Sequence, residues 1–168
     1  DVEAKTKNRF QAYAIGGALS TGTAAIAGMA NIEIANNTTI AGVYDTTLQS
    51  VTGGAAGAVT INANEDVAIK EIAGALAVGA SGAGVGVGAA ANVIVFKSRT
   101  VAESWNSNLN SLGAIDVNAL STKEVLSYAV TAGIGGSVGI GATVGVIIIG
   151  TSTADADPSG PHTTWAHQ

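Results

Sequence analysis

Large and small side chains alternate along this chain with a period of two. In Gly84-Val85-Gly86-Val87-Gly88-Ala89 the branched residues hold one parity and the glycines the other. Ser137-Val138-Gly139-Ile140-Gly141-Ala142-Thr143-Val144-Gly145-Val146 keeps the same order over ten residues. Successive side chains of a strand point to opposite faces of a sheet, whereas on a helix this order would scatter Val and Ile around the whole surface. Three uncharged segments carry the pattern, 10–32, 72–96 and 125–154. Each exceeds the roughly 18 residues at which an apolar stretch must be tested as a membrane-spanning helix. Segment 72–96 holds six glycines, each about 0.8–1 kcal/mol worse than Ala in a helix. The strand reading is therefore preferred.

Each segment breaks at small residues: Ser20-Thr21-Gly22-Thr23, Gly79-Ala80-Ser81-Gly82 and Gly133-Ile134-Gly135-Gly136. Gly and Ser at such points predict turns. The plan for the middle unit is a short strand (59–63), a strand (67–78), a turn, a strand (84–97) and a short strand (100–104). The long strands are expected to form alternating Gly/Ala/Val hairpins. A polar connector from Trp105 to Ser111 leads onward.

The unit recurs. Val2-Glu3-Ala4, Val59-Thr60-Ile61-Asn62-Ala63 and Ile115-Asp116-Val117-Asn118-Ala119 open the three copies, and Ala4, Ala63 and Ala119 are spaced by 59 and 56 residues. Tyr13-Ala14, Ile72-Ala73 and Tyr128-Ala129 follow at a constant distance. Then come a Gly-rich stretch, a β-branched run and a Thr-rich exit at Thr39, Thr100 and Thr153. Such a period points to units that stack on their neighbours instead of folding alone. The expected organisation is one array over 1–156, with units at about 1–57, 58–113 and 114–156, and a tail or linker over 157–168. The expected fold class is all-β: a repetitive β-solenoid, parallel β-helix-like.

Composition narrows the function classes. Hydrophobic residues are 47% of the chain but aromatics only 4%, so the apolar content is Ala, Val and Ile set among 23 Gly. These side chains suit closely stacked sheets. The only prolines, Pro158 and Pro161, lie in the tail, which leaves residues 1–157 free for unbroken strands. A net charge of −5 without a basic stripe argues against nucleic acid as a partner. With no cysteine there is no disulfide framework. Outer-membrane hairpins are a rival reading, but barrels carry aromatic girdles and this chain has seven aromatic residues in all. The chain begins in mid-pattern at Asp1, as a fragment or a processed chain would.

The phrase Gly113-Ala114-Ile115-Asp116-Val117-Asn118-Ala119, then Tyr128-Ala129 and Val138-Gly139-Ile140-Gly141-Ala142, resembles repeats of large secreted bacterial adhesins. These are the leukotoxin-like and haemagglutinin-like filamentous surface proteins of Gram-negative anaerobes. Ala56-Gly57-Ala58-Val59-Thr60-Ile61-Asn62-Ala63 and Val85-Gly86-Val87-Gly88-Ala89-Ala90-Ala91-Asn92-Val93 carry the same likeness, which extends over about 1–156. The resemblance implies a right-handed parallel β-helix exported through the outer membrane, with a non-catalytic role in attachment. It transfers no catalytic residue.

No constellation in the sequence supports chemistry. The only histidines, His162 and His167, sit in the tail beside Ser159, Thr163 and Thr164, away from any scaffold that would hold a triad. As a metal pair they lack a third ligand. Asp155 and Asp157 flank Ala156 without the loop of a dedicated calcium site. Glu65, Asp66 and Glu71 near Lys70, and Glu124 beside Lys123, read as a solvated rim with weak surface pairs and no desolvated carboxylate. The Gly82–Gly88 string lies in a strand, not at the opening of a helix as a dinucleotide site requires. Asn31 and Asn92 hold matching positions, as do Asn62 and Asn118. Stacked asparagines can form ladders, and a polar strand face accounts for them equally. Trp105, in its polar connector, is a better candidate contact for a partner than Trp165, and structural packing is the preferred reading over either. Asn36-Asn37-Thr38-Thr39 contains glycosylation acceptors that matter only in a eukaryotic secretory host.

The sequence thus leads to a non-catalytic extracellular structural and adhesive segment of a bacterial surface protein, with no catalytic, cofactor-binding or metal residues. The alternative is a subunit of a self-assembling extracellular β-rich filament. Expected partners are neighbouring repeats or identical subunits through strand edges, and a host or cell-surface receptor. Nucleic acid is not expected, nor is a membrane-spanning segment. The expected location is secreted, at the cell surface.

Overall fold

The computed structural model describes residues 1–48 and 57–151. Each unit contributes two long strands: β1 (Val2–Ser20) and β2 (Ala24–Tyr44), then β4 (Val59–Gly79) and β5 (Val85–Trp105), then β7 (Ile115–Gly135) and β8 (Val138–Thr151). Two short strands, β3 (Thr47–Leu48) and β6 (Asn108–Leu109), lie in the connectors. There is no helix among the described residues.

All pairing is parallel and between units. One sheet runs β1-β4-β7, the second β2-β5-β8, and β3 pairs with β6. The long strands of one unit, expected as hairpins, are joined by a tight turn but lie in different sheets. Each unit is an arch, and three arches stack into a two-layered, solenoid-like blade. The reason is apolar coverage. An isolated hairpin would leave one face of each strand in water, whereas arches set face to face bury the inner parity of both strands.

Parity determines the interior. In β4 the odd positions are buried from Val59 to Gly79, and in β5 the even positions from Gly86 to Ser98. The expected breaks between short and long strands, near 64–66 and 98–99, do not occur. β4 and β5 each run unbroken for 21 residues, because the inward polar residues there find partners inside.

The register reproduces the sequence period. Val2 lies opposite Ile61 and Val59 opposite Ile115, offsets of 59 and 56. In the second sheet the offsets are 61 and 53, with Ala24 opposite Val85 and Val85 opposite Val138. The turns explain the difference, since they contain three (21–23), five (80–84) and two (136–137) residues. The turn lengthens by two between the first and second units and shortens by three between the second and third. The strands stay aligned, and the turns absorb the variation. The arches end at stacked left-handed corners, Asp45 (φ 48°) and Asn106 (φ 46°), where Asn106 Nδ2 donates to Asp45 Oδ1 at 2.6 Å. Asp and Asn tolerate this conformation better than other residues with a Cβ.

Along the blade the interior alternates between dry and polar layers. Near the turns Ala25, Ala27, Ala75 and Ala77 pack together. Midway, Val67, Ile69, Ile94 and Phe96 form a second apolar block with Phe10 and Val125 against it. At the connector end, Ile61, Ala63, Ala41, Val43 and Ala102 form a third, closed by Leu48 and Leu109 of the short strands. The branched residues of the Gly/Val alternation near the turns lie outside, and the glycines face inward. A Cβ at Gly88 would stand 2.8 Å from Ala132 O and 3.1 Å from Ala75 O, and one at Gly86 would collide with Ile134 O. The two sheets are too close there for any side chain at these positions.

Candidate interaction surfaces

Two polar layers separate the three apolar blocks. In the layer next to the connector end, Glu65 is fully buried. Its Oε2 accepts from Ser121 Oγ at 2.7 Å and Thr100 Oγ1 at 3.0 Å, with Lys123 Nζ at 3.6 Å. Thr39 Oγ1 donates to Thr6 Oγ1 at 2.7 Å in the same layer. Burial alone would push the Glu65 carboxyl up. The hydroxyls of Ser121, Thr100 and Ser98 and the Lys123 ammonium outweigh it, and the group is held below its ordinary value.

The second layer contains Glu71, Asn31 and Asn92. The asparagines form the ladder considered from the sequence: Asn31 Nδ2 donates to Asn92 Oδ1 at 3.2 Å and to Ile72 O at 3.0 Å. Asn92 Nδ2 continues it to Ser127 Oγ at 3.0 Å and Tyr128 O at 2.6 Å. A second ladder runs on the outer face, where Asn118 Nδ2 donates to Asn62 Oδ1 at 3.1 Å. Glu71 is 1% exposed and neither carboxylate oxygen has a hydrogen-bond partner. Burial, with a smaller push from Glu33, raises its carboxyl above the ordinary value.

The solvated rim therefore needs correction. Asp66 does belong to the surface, where its carboxylate takes a two-pronged contact from Arg9 (Nη2–Oδ2 2.7 Å, Nη1–Oδ1 3.2 Å). Glu65 and Glu71 do not. They share the odd parity of Val59, Ile61, Val67 and Ile69, so the strand turns them inward with those residues. Lys123 also points inward, 6.0 Å from the centre of the Phe96 ring. The signal was present in the sequence as parity, but the polarity of the residues masked it.

The outer faces are unlike ordinary protein surface. On β2-β5-β8 the outward positions near the turns are apolar, and Ile26, Ile32 and Ile34 are each more than two-thirds exposed. A shallow hollow of about 410 Å³ lies between such ridges, lined by Gly28, Ala30, Ala89, Ala91, Ala142 and Val144 among others. The outer face of β1-β4-β7 is divided. Its connector half carries Glu3, Lys5, Lys7, Arg9 and Asp66. Its turn half exposes Tyr13, Ile15, Leu19, Tyr128 and Ile134. An apolar band thus wraps both faces of the blade's turn end.

Lys70 and Glu124 fall on outward parity, and Trp105 ends β5 half-buried. The Gly82–Gly88 string spans the second turn and the first residues of β5, next to no helix. Among the described residues no group of three or more His, Cys, Asp or Glu could hold a metal, and no helix is long and apolar enough to cross a membrane. Asp155, Asp157, Ser159, His162, Thr163, Thr164, Trp165 and His167 lie outside the described residues, as does the exit at Thr153. No protein-family model, curated protein or solved structure matches this chain.

Proposed function

We propose that this chain is a non-catalytic structural and adhesive repeat segment of a bacterial surface protein, located outside the cell. The observation that supports this most is the stacking of three arches in unbroken parallel register. Such an array extends a rigid blade by repetition, and its exposed apolar band offers a contact surface for a receptor. Glu65 and Glu71 are both buried inside the stack. Antibodies raised against the chain should label intact cells of the organism that makes it, and beads coated with the chain should bind host cells saturably. Labelling only after permeabilisation would remove the extracellular reading, and unsaturable bead binding would remove the adhesive one.

A second reading, a self-assembling filament subunit, is favoured by a separate observation. Among the described residues, β1 and β2 at one end of the blade and β7 and β8 at the other have a strand neighbour on one side only. Such edges are templates for further strands. Electron microscopy of the purified chain should then show concentration-dependent fibres, and a sharply monomeric species at high concentration would sink this reading.

A further inference from the structure

The two ends of the blade carry opposite charges on their inner faces. On the outer strands at one end, the inward parity of β1 and β2 includes one charged residue, Glu33. At the other end, the inward parity of β7 and β8 also includes one, Lys123. An inward charge on an edge strand ordinarily guards that edge, because a strand added over it buries the charge. Two like edges meeting would bury like charges. Opposite edges meeting would bury no like pair.

The outer faces are complementary in the same sense. Arg9 lies on β1 in a row with Lys5 and Lys7, and Glu124 lies on the outward parity of β7. Within one chain Arg9 and Glu124 stand two strands apart, and the Arg9 guanidinium already senses the Glu124 charge.

The register of the blade defines what a further arch would meet. Ala4 is opposite Ala63 and Ala63 opposite Ala119, while Ala24 is opposite Val85 and Val85 opposite Val138. Continued by one step, Ala119 faces Ala4 of a new arch, Tyr128 faces Tyr13, Val138 faces Ala24, and Glu124 falls level with Arg9. The inner layers continue too: Ser121 meets Thr6 in the polar layer, and Val125 meets Phe10 in the apolar block. Lys123, its ammonium 3.6 Å from Glu65 Oε2, falls level with Asn8 of the new arch, while Glu33 lies by Glu71 in the other polar layer, so the two inward charges enter the joint at different depths.

We propose that the β7–β8 edge of one copy docks on the β1–β2 edge of a second copy, in parallel and in this register, with Glu124 of one meeting Arg9 of the other. This rests on the filament reading and specifies its contact. The joint is heterologous and does not close on itself, so it propagates.

The test uses two full-length single-cysteine variants, Gln11→Cys and Leu126→Cys, whose positions are level on the outer face in the proposed joint. Adjacent strands hold such pairs within disulfide range. Mixed under mild oxidation, the two variants should give a disulfide-linked heterodimer, joined between positions 11 and 126, well ahead of either homodimer. In sedimentation, Glu124→Arg should weaken association about tenfold, as for the loss of an exposed ion pair plus a like-charge contact. Association with preferential bonds between two copies of the same variant, or with no disulfide, overturns the proposed edge and register while leaving the filament reading in place. A monomer at every concentration overturns both.

Discussion

Two glutamates six residues apart on one face of β4 (Glu65 and Glu71) have opposite surroundings, and their contributions to stability should change with pH in opposite senses. Glu71 is buried without a hydrogen-bond partner and its folded-state pKa is raised. A raised acid favours the folded state below the ordinary value of 4.5 and loses that contribution as pH climbs through the folded value. Glu71→Gln keeps the shape and removes the buried charge, so in urea unfolding at pH 7 it should be more stable than the native chain by about 1–3 kcal/mol, the scale of desolvating a group left without a partner. The gap should close below pH 4.5; equal stabilities at pH 7 would show that the site does not penalise the carboxylate charge. Glu65 is the reverse. Its pKa is held low by its hydrogen bonds and Lys123, so its stabilisation is present above the ordinary value of 4.5 and fades as the pH falls below it. Glu65→Gln should cost on the order of 1.5–3 kcal/mol at pH 7, with the difference narrowing in acid. A pH-independent cost would mean that the carboxylate charge is not what the layer holds. Parity set both residues on the side of Val59, Ile61, Val67 and Ile69, yet their polarity led to the expectation of a solvated rim. Their opposite environments had no signal in the sequence, because Ser121 and Thr100 reach Glu65 from other strands 56 and 35 residues away.

At the scale of the strand, alternation specifies more than a face. A slip of one residue in register would turn the whole inner row outward. A slip of two would preserve the faces but move Glu65 towards an apolar block and break the Asn31–Asn92 ladder, so the polar layers guard against the slip that parity permits. The turn ends depend on glycine for a different reason, the closeness of the two sheets. Gly88→Val should destabilise the fold by at least about 2–3 kcal/mol through overpacking against Ala132 O and Ala75 O. Gly28→Val, outward on β2 with nothing within 4 Å of the new Cβ, should stay within about 0.5 kcal/mol of the native value. Thermal or urea melts of the two variants decide this, and equal costs would show that the sheets are not in close contact at the turn. The sequence foretold strands, turns and the placement of Val and Ile opposite to Gly. It left open which face was the interior, and the outcome is the less intuitive one, with glycine inside and the branched residues out.

For the whole molecule, the central arch is the only described one with strand neighbours on both sides. Backbone amides of β4 and β5 should therefore exchange with deuterium more slowly in dilute solution than those of the outer strands, and uniform protection would contradict independent fraying of the two ends. The sequence by itself determined the repeat, its spacing of 59 and 56 residues and the all-β class, because period and parity are local properties that survive in one dimension. The parallel stacking expected of a repeat also followed, since equivalent residues of successive units can meet only when they are stacked in register. Only the tertiary structure decided that the paired segments of each unit are arches and not hairpins, because the choice depends on which faces have apolar partners across the blade. It also decided the fate of Glu65, Glu71 and Lys123. A charged side chain is stable in an interior only when groups distant in sequence converge on it, or when its pKa moves to relieve the charge, and neither is written in the neighbouring residues.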